Sequence, residues 1–212
     1  MRDMMKGKLA GPNFKGLVQD AGDPNTFYAG GSWSKDMGGA PVWKSANGGK
    51  KWDAAGGGIT GDVTLLRSVA PGILYAAAGK NGIYRTPDGG KSWSVVRPGE
   101  VNDLAVDPAK PERVFVATKE GLYRSADSGA TWNKDSQGIK GDEVEAVVAS
   151  GGKVFCGTFG GVFFSADGGE KWTALNDGLI NTDVRALAIA GGSAPRLYAG
   201  VAGGSVHSIE LP

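Results

Sequence analysis

The sequence predicts an all-β fold built from repeated units, and three observations carry that expectation. A ten-residue phrase occurs four times: "WKSANGGKKW" at 43–52, "YRTPDGGKSW" at 84–93, "YRSADSGATW" at 123–132 and "FFSADGGEKW" at 163–172. Its polar centre falls at Asn47, Asp88, Asp127 and Asp167, at intervals of 41, 39 and 40 residues. Short apolar runs closing on small residues precede the phrases ("TFYAGG", "ILYAAAG", "VFVAT", "VFCGT"), and a fifth, "LYAGVAGG", lies near the end. Glycine, at 37 of 212 residues, is more than twice its usual ~7% share, as tight turns between strands require. Units of about 40 residues with about four short strands each predict a five-bladed β-propeller of four-stranded antiparallel blades.

The units take the approximate bounds 14–60, 61–99, 100–141, 142–181 and 182–212, in a single domain covering 1–212. Each opens with an alternating run: "GLVQD", "VTLLRSV", "VNDLAVD", "VEAVVA" and "VRALAIA". The apolar run is the second strand, the start of the phrase the third, and the residues after its tryptophan the fourth. No stretch sustains helical apolar spacing, so a parallel α/β reading fails. One blade cannot bury both faces, so neighbours must stack and the ring must close. The fifth unit ends at "GGSVHSIELP", which aligns with "EGLYRSADSG" through its third strand and then runs out. Residues 1–13, with Met4–Leu9 as a strand beside Val206–Glu210, are expected to complete the last blade and remove its open edge.

Within the phrase each residue type has a structural task. A turn leaves backbone N–H groups without ladder partners, and a carboxylate or amide oxygen accepts several of them. The tryptophans Trp52, Trp93, Trp132 and Trp172 offer large apolar bodies for packing between blades. Ser45, Thr86, Ser125 and Ser165 bond locally through their hydroxyls. Asn47 fits this reading, since its amide oxygen still accepts. "SADSGATW" and "SADGGEKW" resemble the Asp-box, or BNR, repeat, S/T-x-D-x-G-x-x-W. That repeat occurs in sialidases, xyloglucan-type glycoside hydrolases, sortilin-like receptors and a photosystem assembly factor. The resemblance covers four units closely; the fifth keeps only Ser208 and Glu210. It implies a propeller of the sialidase, sortilin and xyloglucanase-like superfamily, with binding on the face away from the boxes.

Composition narrows the function classes. Lys plus Arg number 23 against 22 Asp plus Glu, so no global field draws the chain to nucleic acid or an anionic membrane. One cysteine excludes an internal disulfide and a Cys-rich metal knuckle, and no His/Cys cluster has metal-ligand spacing. No metal or cofactor is expected. The first residues carry charge without an apolar h-region, so no signal peptide is read there, and cytoplasmic and secreted locations stay open. A monomer is expected.

The candidate site lies where the first strands converge. Just before the column Val63, Val101, Val144, Val184 stand Asp62, Glu100, Glu143 and Asp183. Just after it stand Thr64, Asn102, Glu145 and Arg185, with Lys15 in the first unit. With Arg67 nearby, these residues would form a polar pocket suited to a cation, an amine or a sugar. The alternative is that the acidic residues cap the turns entering each strand. The first unit also carries a long loop, "GGSWSKDMGGAP" at 30–41, where the others have three or four residues. Its Trp33, Lys35 and Asp36 suit stacking on a sugar or docking a partner. His207 aligns with Arg85 and Arg124 on a third strand, and Cys156 is expected to be buried and inert.

Three functions remain. The first is a non-enzymatic, lectin-like propeller with carbohydrate as leading ligand class. The second is a glycoside hydrolase or lyase using paired carboxylates, such as Asp62 with Asp183 or Glu145. A sialidase is not expected, because the Arg-Ile-Pro phrase and the arginine triad of that group are missing. The third is a protein-interaction scaffold.

Overall fold

The computed structural model describes residues 14–32, 40–141, 143–191 and 195–211, which fall into two compact units divided after Glu100. Among the described residues every sheet is antiparallel. The first unit holds two four-stranded sheets in simple meander order. One is β1 (Phe14–Gln19), β2 (Phe27–Gly31), β3 (Val42–Ser45) and β4 (Asp53–Ala54). The other is β5 (Leu65–Ala70), β6 (Ile73–Ala77), β7 (Ile83–Thr86) and β8 (Ser94–Arg97), with a 3-10 turn at Gly79–Asn81. β1 lies alongside β5, and the space between the sheets is filled by Tyr28, Val42, Val63, Leu66, Leu74 and Trp93.

The second unit holds three sheets. The first contains β9 (Asp103–Asp107), β10 (Lys110–Thr118), β11 (Gly121–Ser125) and β12 (Asn133–Lys134). The second contains β13 (Val144–Ser150), β14 (Lys153–Thr158), β15 (Gly161–Ser165) and β16 (Thr173–Ala174). The third contains β17 (Val184–Ala190), β18 (Arg196–Val201) and β19 (Ser205–Glu210). β13 lies between β9 and β17. Phe115, Val147, Cys156, Phe163 and Trp172 fill the first inter-sheet space, and Phe155, Val162, Val184 and Leu197 the second. Cys156 is fully buried, and desolvation pushes its thiol far up, which leaves it inert.

The repeated phrase joins the third and fourth strands of four sheets, as its composition predicts. The first-position hydroxyls accept from Gly49 N, Gly90 N, Gly129 N and Gly169 N at 2.8–3.0 Å. They bond in turn to Asn47, Asp88, Asp127 and Asp167. Those acceptors take backbone N–H groups further on: Lys51, Lys91 and Ser92, Thr131, and Glu170 and Lys171. The indoles of Trp52, Trp132 and Trp172 donate to the carbonyl three residues back in their own turn, at Gly49, Gly129 and Gly169. Trp93 instead reaches the neighbouring sheet, at Ala55 O, 2.7 Å away. The fourth strands are shorter than expected: β4, β12 and β16 have two residues each, which leaves little open edge.

One expectation falls outside the described residues, and one changes. The last sheet has three strands among the described residues, and the segment expected to complete it lies outside them. The register of β19 also differs. Ala199 pairs with His207 as Val116 pairs with Tyr123, so His207 occupies the position of Trp43, Tyr84 and Tyr123, not that of Arg85 and Arg124. Ile209, opposite Leu197, stands where the other sheets have the box hydroxyl, and Ser208 does not. The cause is the turn. Val201 pairs with Ser205 across three residues, whereas Thr158 pairs with Gly161 across two.

Candidate functional site

Each first strand begins at the end of its sheet opposite the box turn. In the second unit that end brings together Val144, Thr158 and Gly161, and, on the neighbouring sheet, Val184, Val201 and Ser205. The residue just after the valine column has a special backbone role. Pairing slips between Phe14 and Gly16, between Val144 and Ala146, and between Val184 and Ala186. Lys15, Glu145 and Arg185 are therefore the extra residues of β-bulges, and a bulge turns such a side chain off the regular pleat.

Two of those bulge residues meet. Arg185 Nη1 donates to Glu145 Oε1 at 3.0 Å, and its Nη2 donates to Asp183 Oδ2 at 3.0 Å. Arg185 Nε lies 2.6 Å from Asp183 Oδ1, and the guanidinium sits over the Phe159 ring, 4.6 Å from its centroid. The hydrogen bond to Asp183, and then the charges of Asp183, Glu145 and Glu143, hold the guanidinium still further from deprotonation. Asp183 and Glu145 thus both pair with one cation, and Glu143 acts on it through its charge. It faces solvent: the Arg185 side chain is 48% exposed and Phe159 44%. Asp183 does not cap its own turn. Asn181 does that, accepting from Asp183 N at 2.9 Å and donating to Ala202 O.

The other candidates are distributed differently. Lys15, Asp62, Arg67 and Glu100 belong to the first unit. Lys15 is exposed on its bulge, and Asp62 and Glu100 are exposed before β5 and β9. Arg67 sits within β5 opposite Tyr75 and donates to Leu66 O, so it turns to the backbone. Asn102, in the second unit, donates its amide to Val144 O at 2.9 Å and ties one first strand to the next. Trp33, Lys35 and Asp36 lie outside the described residues.

Sequence reasoning missed Phe159 as a site residue. Its signal was present: it stands two residues before Gly161, where Lys119 precedes Gly121, and an aromatic ring in a two-residue turn is out of place unless something covers it. It also missed a repeated carboxylate between sheets. Asp20 accepts from Gly22 N and from Gly72 N of the next sheet, both at 2.9 Å, and Asp107 accepts from Ala109 N and Gly152 N. Among the described residues no group of three or more His, Cys, Asp or Glu is arranged to hold a metal ion.

No protein-family model matches the chain, and no curated protein matches it. Solved structures do. A GH74 xyloglucanase from Xanthomonas campestris superposes with a TM-score of 0.68 at 18% identity, over 93% of this chain and 36% of that one. An ancestral GH74 enzyme gives 0.66 at 16% identity, over 94% of this chain and 31% of that one. YCF48 bound to D1 peptide gives 0.65 at 18% identity, over 93% of this chain and 63% of that one. The chain spans about a third of the glycoside hydrolase chains and less than two thirds of the YCF48 chain. The likeness is one of fold, and with five antiparallel sheets it is consistent with a β-propeller.

Proposed function

We propose that the protein is a non-enzymatic ligand-binding propeller with carbohydrate as its leading ligand class, bound at the sheet ends opposite the box turns. The carrying observation is the Arg185 cluster. It presents Glu143, Glu145 and Asp183 as acceptors for hydroxyl groups, and beside them the exposed Phe159 ring as an apolar face. The resemblance of the phrases to the Asp-box supports a five-bladed ring, closed by residues 4–9 as fourth strand of the last blade.

A hydrolase reading draws on the GH74 neighbours, whose names denote glycoside hydrolases. Glycoside hydrolysis needs two carboxyl groups in opposite roles, one donating a proton and one attacking or activating water. Glu145 and Asp183 are instead engaged by the same guanidinium, which gives them the same role. That arrangement favours binding over catalysis. The YCF48 neighbour carries a bound peptide, so a protein partner is the other outcome to be tested.

The test is a glycan-array screen of the wild-type protein beside Trp33→Ala, Phe159→Ala and Asp183→Ala. Saturable binding to a defined glycan, lost in Phe159→Ala or Asp183→Ala, supports the proposal. Absence of binding to any glycan, with capture of an extended peptide instead, overturns it.

A further inference from the structure

The repeats allow one inter-sheet cleft to be compared with another inside the same molecule. In the second unit, Arg124 on β11 donates to Gly168 O of the next box turn at 3.1 Å. In the first unit, Lys44 on β3 donates to Gly89 O of the next box turn at 3.2 Å. These cations are equivalent, since each immediately precedes the box hydroxyl residue. What surrounds them differs. Arg124 Nε lies 3.1 Å from Asp135 Oδ2, and Arg124 Nη1 lies 3.9 Å from Glu170 Oε1. Asp135 follows β12 and donates its N–H to Leu122 O; Ala55 follows β4 and donates its N–H to Val42 O. Ala55 is therefore the counterpart of Asp135. Likewise Glu170 follows the second glycine of the box that Arg124 touches, and Lys91 follows the second glycine of the box that Lys44 touches.

So the carboxylates that fill the cleft in one unit are a methyl group and a lysine in the other. The space they vacate is real: a cleft of about 220 Å³, lined by Lys44, Asp53, Ala55, Gly89, Gly90 and Lys91 among others. Its lining carries two lysines, Lys44 and Lys91, against one carboxylate, Asp53. Asp53 is paired with Lys51 at 2.9 Å, and Asp23, which also feels Lys44, is held first by its own turn through Asn25 N and the Thr26 hydroxyl. The Lys44 ammonium is fixed over the Tyr28 ring, 5.3 Å from its centroid, and by Gly89 O. A preformed cation beside an open volume suits an oxyanion better than a neutral ligand.

We propose that this cleft binds a compact multivalent oxyanion, whose oxygens occupy the place that the Asp135 and Glu170 carboxylates hold in the second unit. This site is separate from the proposed glycan site, and either can fail without the other.

Thermal unfolding of the full chain in inorganic phosphate, against sodium chloride at matched ionic strength, tests it. Wild type is expected to gain about 3–6 °C at phosphate tenfold above its Kd, with a saturable dependence. Lys44→Met and Lys91→Met should each lose most of that gain. Ala55→Asp should lose it too, while unfolding at a higher temperature without phosphate, because it supplies the carboxylate internally. A gain reproduced by sodium chloride, or one undiminished in both lysine variants, overturns the proposal. Lys91 is exposed, so its variant carries the test even if Ala55→Asp fails to fold.

Discussion

Glu145 and Arg185, 40 residues apart, are both the extra residue of a β-bulge, and their side chains meet at 3.0 Å. The same backbone irregularity on adjacent first strands turns two charged groups toward each other in solvent. Exposed ion pairs of this kind contribute little to stability. Arg185→Met and Glu145→Gln should therefore shift the unfolding midpoint by no more than about 2 °C. The same variants should abolish ligand binding. A large loss of stability in either would assign the pair to the fold and remove it from the site.

The box turns behave in the opposite way. Asp127 accepts from the Thr131 hydroxyl at 2.6 Å and from Thr131 N at 2.8 Å, and a drop in unfolding midpoint is expected for Asp127→Ala. Asp127→Asn should retain much of the wild-type midpoint, because Asn47 fills the same role with an amide oxygen. Equal losses in the two variants, measured by calorimetry, would show that charge and not acceptor geometry matters.

Acid stability follows from the same carboxylate. The Thr131 hydroxyl first, then Thr131 N and the Ser125 hydroxyl, hold Asp127 down to about 2, against an ordinary 3.8. A depressed folded-state value means the stabilisation is complete above the unfolded value and is lost as pH falls through the folded one. Wild type should therefore weaken between about pH 4 and pH 2, and Asp127→Asn should show a flatter profile over that window. Asp88 is held lower still, chiefly by the Ser92 hydroxyl, so part of the slope survives in the variant.

Close approach between sheets fixes two glycines. A Cβ on Gly157 would lie 2.6 Å from Val184 Cγ1, and one on Gly30 would lie 2.6 Å from Val63 Cγ1. Overpacking should make Gly157→Ala and Gly30→Ala cost about 1–3 kcal/mol each by chemical denaturation. Gly178→Ala has no atom within 4 Å of the added carbon, but its φ of +82° adds backbone strain. Gly191→Ala, with open space around it and no such φ, is the neutral comparison. Matching losses at all four positions would show that packing between sheets is not the constraint.

Much of this was legible because a repeat prints its own alignment. The box turns, their hydroxyl and carboxylate bonds, the buried Cys156 and the valine column all follow from residue identity at fixed spacing. What the sequence hid were events that leave no residue signature. The bulges at Lys15, Glu145 and Arg185 are insertions in pairing, not in composition. The β19 register depends on one extra residue in the turn at 202–204, and that displaced His207 and Ser208 from their expected positions. Phe159 was obscured by its neighbours, since a short glycine-flanked turn reads as a connector. Asp20 and Asp107 look like strand-end polar residues, and only the structure places Gly72 N and Gly152 N against them.

The most direct measurement is hydrogen–deuterium exchange of the protein with and without the tightest glycan from the array. The account predicts protection confined to peptides covering 143–147, 158–161 and 182–186, in wild type and not in Phe159→Ala. Protection of the box turns at 86–93, 125–132 or 165–172 instead would contradict it, and would move the binding face to the opposite end of the sheets.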